Sequence, residues 1–544
     1  MARHIHSRLK VEGTLTAETA LHVGGLGESP DTDMPLARNG EGKYYIPGTS
    51  LTGSLRSWFE KNFPKETNSL WGFQKEDKGH ASFVLIEDMT LPEQVQSELR
   101  DGVGIERIYG TAADTIKFDR AILPKGTKLD FEMTVEIEKE TEAKKIKAMF
   151  GHLLEALRTG AIRLGASKTR GLGKVTFAPT KIEEYLLVGN DTNGIPHVLN
   201  LVSGKPTKSY SIQDLINEDT DIKPEGSQLL IIKIKWQPKS ALMVKASYEG
   251  IGVDTLPLVS GIGDGRVSLV LPGSSIKGAF RAHAERIIRT LTNDTASGEE
   301  FHDQIKLDIV SELFGAKKEK NGEEHLGLGA LSFDDCYATK SVRNDLWNQV
   351  ETAKITKTVN SKEEDVTFSE QELWRALRQV DLERVLDPQK EPDKKEIEKD
   401  TSTFKITHHV AIDRWTGGAS EGALYGVLQP TAEISWQDIC LMLDLSRIPV
   451  HKKADGSTDD SLRKKCLMLL LLVLRDFAEN RLPLGFATNR GMGEVIVKKI
   501  EGLEVIPQLV GIEDETFKAE ISDGKIIFTG DKVKKELEGV WNNG

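Results

Sequence analysis

Residues 46–56 read IPGTSLTGSLR, and residues 271–281 read LPGSSIKGAFR. The two stretches agree at Pro47 and Pro272, Gly48 and Gly273, Ser50 and Ser275, Gly53 and Gly278, and Arg56 and Arg281. So many identities at one spacing point to an internal duplication, which decides the architecture before any single element is read. A duplicated chain should repeat its other features in the same order, and this one does. LWG (70–72) is answered by LFG (313–315), and ASF (81–83) by LSF (331–333). Further on, GIERIYGTA (104–112) is answered by AIDRWTGGA (411–419), and LGASKTRGLGKV (164–175) by LGFATNRGMGEV (484–495).

The offset between copies grows from 225 positions at the first motif (46 to 271) to 320 at the last (165 to 485), with most of the growth between Phe333 and Ile412. The second copy therefore carries an insertion, about 334–405, whose stretch 363–400 combines an amphipathic helical pattern with a Pro-containing charge run. In each copy the pattern predicts a strand (7–19; 229–242) and then a helix with Ser/Thr as cap candidates (48–63; 273–291). In the first copy it continues with strands at 82–87 and 129–137, a helix over 141–159, the glycine-rich loop and a strand at 174–180. The order βαββαβ predicts an α+β fold of two tandem ferredoxin-like (RRM-like) domains. Their expected bounds are 1–182 and 229–500, with 183–228 as linker and 501–544 as a C-terminal tail.

The chain has 544 residues, 38% of them apolar, and a net charge of −12. Such an acidic balance argues against a protein that holds nucleic acid over its whole surface, but leaves room for a local basic groove inside a multi-protein assembly. Cys336, Cys440 and Cys466 are odd in number and lack CxxC spacing, which argues against a disulfide framework or a cysteine zinc site and fits a reducing cytoplasm. No signal peptide is visible, and the apolar run 466–474 is too short to span a bilayer, so no membrane role is expected and 466–474 reads as a buried helix.

The glycine loops follow a helix and precede a strand, the wrong order for a dinucleotide fingerprint or a P-loop. Gly165, Gly171 and Gly173, with Gly485, Gly491 and Gly493, are either turn residues with positive φ or places where backbone approaches a ligand. Lys168, Arg170 and Arg490 inside these loops are candidates to meet phosphates. Ser50 and Ser275 near helix starts, with Lys277, Arg56 and Arg281 further along, are candidates for the same task or for plain capping and packing.

The paired IPGxSxxGxxR and GxSxxRGxGxV motifs resemble the RAMP superfamily of CRISPR-associated proteins. The likeness is to the crRNA-binding backbone subunits (Cas family seven) of type III effector complexes, and two such units in one chain resemble the fused subunits of type III-D variants. The resemblance implies a palm that grips crRNA and a β-hairpin thumb, here 104–126 and 411–430, presenting Arg107, Tyr109, Arg414 and Trp415. It also implies a loop aspartate that cuts target RNA, which falls on Asp33 in DTDMPLAR (31–38) and on Asp254 in GVDTLPLV (252–259). Each carboxylate would hold Mg²⁺ or Mn²⁺, or orient a 2′-hydroxyl for attack on its neighbouring phosphate. Asp33 stands two residues before Pro35, whereas Asp254 stands three before Pro257, so the second carboxylate is open to a different aim. Asp31, Glu249 and Asp264 are nearby substitutes, His22 and His283 read as structural, and His408–His409 has no assignment.

The resemblance implies crRNA, target RNA and sibling effector subunits as partners in a prokaryotic cytoplasm. The reading is a fused backbone subunit cutting bound target RNA at two sites, the alternative a crRNA-binding structural subunit that does not cut. A crRNA-processing enzyme of the same superfamily would want a histidine beside the glycine loops, and none occurs at 160–180 or 480–500. A metabolic enzyme is disfavoured by the lack of any cofactor fingerprint.

Overall fold

In the computed structural model, residues 4–25, 32–92, 95–188, 197–225, 228–295, 301–316, 327–352, 354–359, 362–367, 377, 403–452, 458–512, 514–522 and 524–542 are described. The chain divides into two units, one comprising 1–100, 118–168 and 172–227, the other 101–117, 169–171 and 228–544. Both are mixed α/β.

In the first unit, strand β1 (Ser7–Ala17) leads to helix α1 (Gly48–Asn62) and the short strand β2 (Val84–Ile86). A long hairpin of β3 (Glu98–Ile105) and β4 (Ala112–Ile122) follows, its outer part counted with the other unit. Next come β5 (Lys128–Ile137), α2 (Glu140–Arg158) and β6 (Val175–Leu186). The sheet order is β6-β1-β5-β2, with β7 (Lys208–Ser209) added beside β6. Alternation sets the register: Leu9 pairs with Val135, and Leu15 with both Leu129 and Phe177, all buried. Leu51, Leu55 and Phe59 of α1 meet Phe150 and Leu153 of α2 in the same core, each side chain contributing roughly 1.5–3 kcal/mol by burial.

Of the segment expected as a linker (183–228), residues 183–188 and 197–225 fold with this unit. Its helix α3 (Ile212–Asn217) starts with a Ser211–Asp214 capping box and buries Ile212 and Leu215 in the core. Buried Lys147 of α2 donates to Glu184 of β6 (2.7 Å) and to the Tyr210 hydroxyl (3.0 Å), which itself donates to Glu184 (2.8 Å). Burial and the Glu184 carboxylate push the Tyr210 hydroxyl far above its ordinary pKa, so it stays a donor.

The second unit repeats the plan with β8 (Leu229–Pro238), α4 (Gly273–Thr292), β9 (Leu331–Asp334), the hairpin β10 (Phe404–Ile412) and β11 (Ala419–Pro430), β12 (Ile439–Asp444), α5 (Ser461–Ala478) and β13 (Val495–Glu501). Its sheet order is β13-β8-β12-β9, the counterpart of β6-β1-β5-β2, and Arg170–Gly171 pairs in parallel beside β9. Each first strand carries a bulge, at Glu12/Gly13 in the first unit and at Lys235/Trp236 in the second. Phe280 packs on Phe333 and Phe477, ring centroids 4.9 and 5.2 Å apart.

Helix α5 carries the apolar run and buries Cys466, Leu467 and Leu469–Leu471; among the described residues no helix is long and apolar enough to cross a membrane. The expected tail also belongs to the core. Strands β14 (Lys518–Ser522) and β15 (Lys525–Thr529) and helix α6 (Asp531–Asn542) bring Phe517, Ile526, Val533 and Leu537 into it. Of the insertion, a helix at Asn344–Thr352 and a hairpin at Lys354–Val359 and Lys362–Thr367 are seen; most of the amphipathic stretch at 363–400 lies outside the described residues.

Candidate functional site

The glycine loops are built alike in both copies. Gly165, Gly171, Gly173, Gly485, Gly491 and Gly493 all have positive φ, between 75° and 106°. A Cβ at Gly165 would strike the His22 carbonyl, and one at Gly485 the Met243 carbonyl, in the segment after the first strand. The same pairing recurs in hydrogen bonds: Ala166 N–H donates to His22 (2.8 Å) and Phe486 N–H to Met243 (2.7 Å). Turn geometry therefore accounts for these glycines. The middle pair differs: a side chain at Gly171 would overlap the Asp335 carboxylate, whereas Gly491 faces open space. Arg170 and Arg490 are exposed, Arg490 donating to the Tyr425 hydroxyl, and half-buried Lys168 donates to Ser54 Oγ (2.8 Å).

The opening motifs differ from the capping expectation. Pro47 and Pro272 occupy the N-cap positions, and no Ser or Thr caps either helix. Instead, Gly48 N–H donates to Asp88 (2.7 Å) and Gly273 N–H to Asp335 (2.8 Å), a matching pair of distant carboxylates that complement the helix dipole. An anion would compete with a carboxylate already seated there, so these helix starts are not open phosphate sites. Ser50 and Ser275 are half-buried one turn in.

Two basic candidates in α4 point inward. Lys277 is buried with Nζ donating to the Leu331 carbonyl (2.7 Å); burial, then Arg170 and Arg281, push its pKa down to about 7. Arg281 donates to Glu285 (2.8 Å), the Gly315 carbonyl (2.8 Å) and the Ile305 carbonyl (3.1 Å), and burial lowers its pKa. Both hold the second unit together rather than meeting a ligand, correcting the sequence expectation. Arg56 stays half-exposed beside Asn68.

The hairpin tips are equivalent turns. Gly110 N–H donates to the Glu106 carbonyl (3.1 Å) and Gly417 N–H to the Asp413 carbonyl (2.9 Å). Asp413 also accepts the Trp415 and Thr416 amides (2.8 Å each), which lower its pKa and throw Trp415 outward. Tyr109 is 78% exposed and Trp415 96%, an unfavourable placement for large rings unless something flat covers them. Arg414 is exposed, whereas Arg107 is held by Glu285 and so braces its hairpin instead of presenting a charge.

The aspartate loops resolve the register question. Met34 bridges Arg120 in parallel and Thr255 bridges Val427 in parallel, so Asp33 and Asp254, each one residue earlier, are equivalent. Asp33 Oδ2 accepts the Asp119 amide (3.0 Å), and Asp254 Oδ2 accepts the Gly426 amide (2.6 Å). The extra residue of the second loop is taken up after the bridge, at Leu256, and both carboxylates sit at exposed positions with the same backbone support. Asp31 lies outside the described residues. His22 is held through Nδ1 by the Ala121 carbonyl (2.7 Å) and His283 through Nε2 by Asp476 (2.7 Å); burial lowers both pKa values, so they are structural.

The sequence reading missed Asp119. Its Oδ1 accepts the Asp33 amide and the Thr32 hydroxyl (2.7 Å each), placing a second carboxylate beside the first. Hard cations such as Mg²⁺ need only one or two carboxylates, water and substrate phosphate supplying the rest, and Asp33 with Asp119 fits that demand. At the second loop Gly426 replaces Asp119, leaving one carboxylate, a poorer fit. Among the described residues no group of three or more His, Cys, Asp or Glu side chains forms a ready-made metal cage.

The family model described as the RAMP superfamily matches residues 14–176 and 254–496. The CRISPR system Cms endoribonuclease Csm3 of Methanocaldococcus jannaschii is 27% identical over 210 residues, 33% of this chain and 82% of that protein. Csm3 of Mycobacterium tuberculosis, which bears the same name, is 24% identical over 210 residues, 32% of this chain and 89% of that protein.

Proposed function

The chain belongs to the RAMP superfamily, and we propose that it is a fused double backbone subunit of a type III CRISPR ribonucleoprotein that binds crRNA and cleaves guide-complementary target RNA at the Asp33 and Asp254 loops. The observation that carries this reading is the equivalence of the two loops: one carboxylate each, at an exposed position, fixed by one amide from the neighbouring hairpin. The names of its relatives as Csm3 endoribonucleases support RNA cleavage.

Each unit is read as a ferredoxin-like palm, supported by strand orders that place the fourth strand beside the first and the third beside the second. The hairpins are thumbs, with Tyr109 and Trp415 stacking on bases. Arg170, Arg490, Lys168 and Arg56, with Ser50 and Ser275, remain candidates to follow the RNA backbone, and an acidic chain would do this within an assembly of sibling subunits.

At the first loop Asp33 and Asp119 would hold Mg²⁺ or Mn²⁺, which when bound stabilises charge on the scissile phosphate. Asp33 itself would orient the 2′-hydroxyl of the nucleotide before the cut. As O2′ bonds to phosphorus its proton passes to solvent, the P–O5′ bond breaks, and O5′ leaves with the electron pair and takes a proton from water, leaving a 2′,3′-cyclic phosphate and a 5′-hydroxyl.

The test is cleavage of an end-labelled, guide-complementary RNA by the assembled complex. Asp33→Ala and Asp254→Ala are each expected to erase one distinct product while RNA binding persists. An unchanged pattern in the double variant would leave only the structural, non-cutting role.

A further inference from the structure

The His408–His409 pair finds its place in the second unit. On β10, His408 is the register partner of Gly426, and His409 that of Tyr425. Neighbours on a strand face opposite sides, so the two imidazoles part. His409 stacks on the Tyr425 ring, centroids 5.3 Å apart. His408 is exposed. The position where a Gly426 Cβ would stand is 3.4 Å from Val253 Cγ1, 3.7 Å from Asp254 Oδ2 and 3.7 Å from His408 Nδ1, so carboxylate and imidazole both border the space over this glycine.

We infer that His408 is a catalytic residue of the Asp254 loop, acting as the proton acceptor for RNA cleavage there, and that this loop needs no divalent cation. The inference rests on reading the aspartate loops as cleavage sites. Its ground is the donor set: where the first loop has the carboxylate of Asp119, the second has a bare glycine with an imidazole across the strand pair. A single carboxylate is a weak cation site, whereas a carboxylate and an imidazole bordering one space are suited to moving a proton.

The step balances without a further reagent. His408 takes the proton of a 2′-hydroxyl as O2′ bonds to the adjacent phosphorus. The P–O5′ bond breaks, and O5′ leaves with the electron pair and takes a proton from water. Asp254 stabilises the imidazolium that forms, and solvent removes the proton to restore neutral His408.

The experiment uses the assembled complex and an end-labelled, guide-complementary RNA, comparing wild type, Asp254→Asn, His408→Gln and His408→Ala. His408→Gln is expected to slow the Asp254-loop product by about 10²–10⁴-fold, with the Asp33-loop product and RNA binding unchanged. Added imidazole should restore part of that product in His408→Ala. If Asp254→Asn removes the product while His408→Gln forms it at the wild-type rate, the inference is overturned and the loop reading stands. If Asp254→Asn removes nothing, the loop reading fails and the inference falls with it. Equal loss of both products in His408→Gln, or lost RNA binding, would assign His408 a structural role and overturn the inference too.

Discussion

At the Asp33 loop the Asp119 carboxylate holds the Asp33 amide, while at the Asp254 loop the Gly426 amide holds the aspartate and His408 borders the space over that glycine. Two hydrogen bonds to the backbone are the same in both places. Each aspartate accepts one amide, and the next residue accepts another from the same strand, Met34 from Ala121 at 3.0 Å and Thr255 from Leu428 at 2.9 Å. Duplication kept the frame that aims a carboxylate and let the surrounding side chains diverge, so one scaffold carries two donor sets.

Five substitutions would break or sharpen this comparison. The largest effect is expected from Asp119→Asn, which should slow the Asp33-loop product by about 10–100-fold and leave the Asp254-loop product alone, read by product-resolved cleavage. Equal slowing of both would erase the distinction.

Next comes buried Lys277, whose place in the first copy is taken by Thr52. Its pKa falls from 10.5 unfolded to about 7 folded. The unfolded chain therefore binds the extra proton between these values, and stability should rise with pH across that window by a few kcal/mol. Lys277→Met should abolish this rise, measured as the difference between variant and wild-type denaturation curves from pH 7 to 10.

Glycine substitutions should separate the two loops. Gly491→Ala meets open space and costs about 1–2 kcal/mol for its positive φ alone. Gly171→Ala adds an overlap with Asp335 and should cost more, so the two melting temperatures should fall by unequal amounts. The smallest effect concerns the tips. Trp415→Ala should leave thermal stability unchanged, since the ring is 96% exposed, and weaken target RNA binding by about 1–3 kcal/mol.

Much of this was legible in the sequence. The repeated motifs fixed the pairing of copies, and alternation in SRLKVEGTLTA and LLIIKIKWQP placed the first strand of each sheet. What local pattern could not carry was contact over distance. Asp119 lies 86 residues from Asp33, and the helix-capping Asp88 lies 40 residues from Gly48. Neither spacing follows from any local period. The folded role of 183–228 was hidden for the same reason, because Tyr210 matters only once Lys147 and Glu184 are brought to it. Lys277 was misread for a different reason. Charge suggests exposure, yet Gly273, Ile276, Lys277, Phe280 and Ala284 share the helical spacing that faces a core.

The central claim, that the two loops cut by different chemistry, is tested most directly by running target cleavage in EDTA and in Mg²⁺ on the same assembled complex, with RNA binding measured alongside. The account predicts that EDTA removes the product that Asp33→Ala removes and spares the product that Asp254→Ala removes. If both products vanish together in EDTA, or both survive, while RNA remains bound, the account is contradicted.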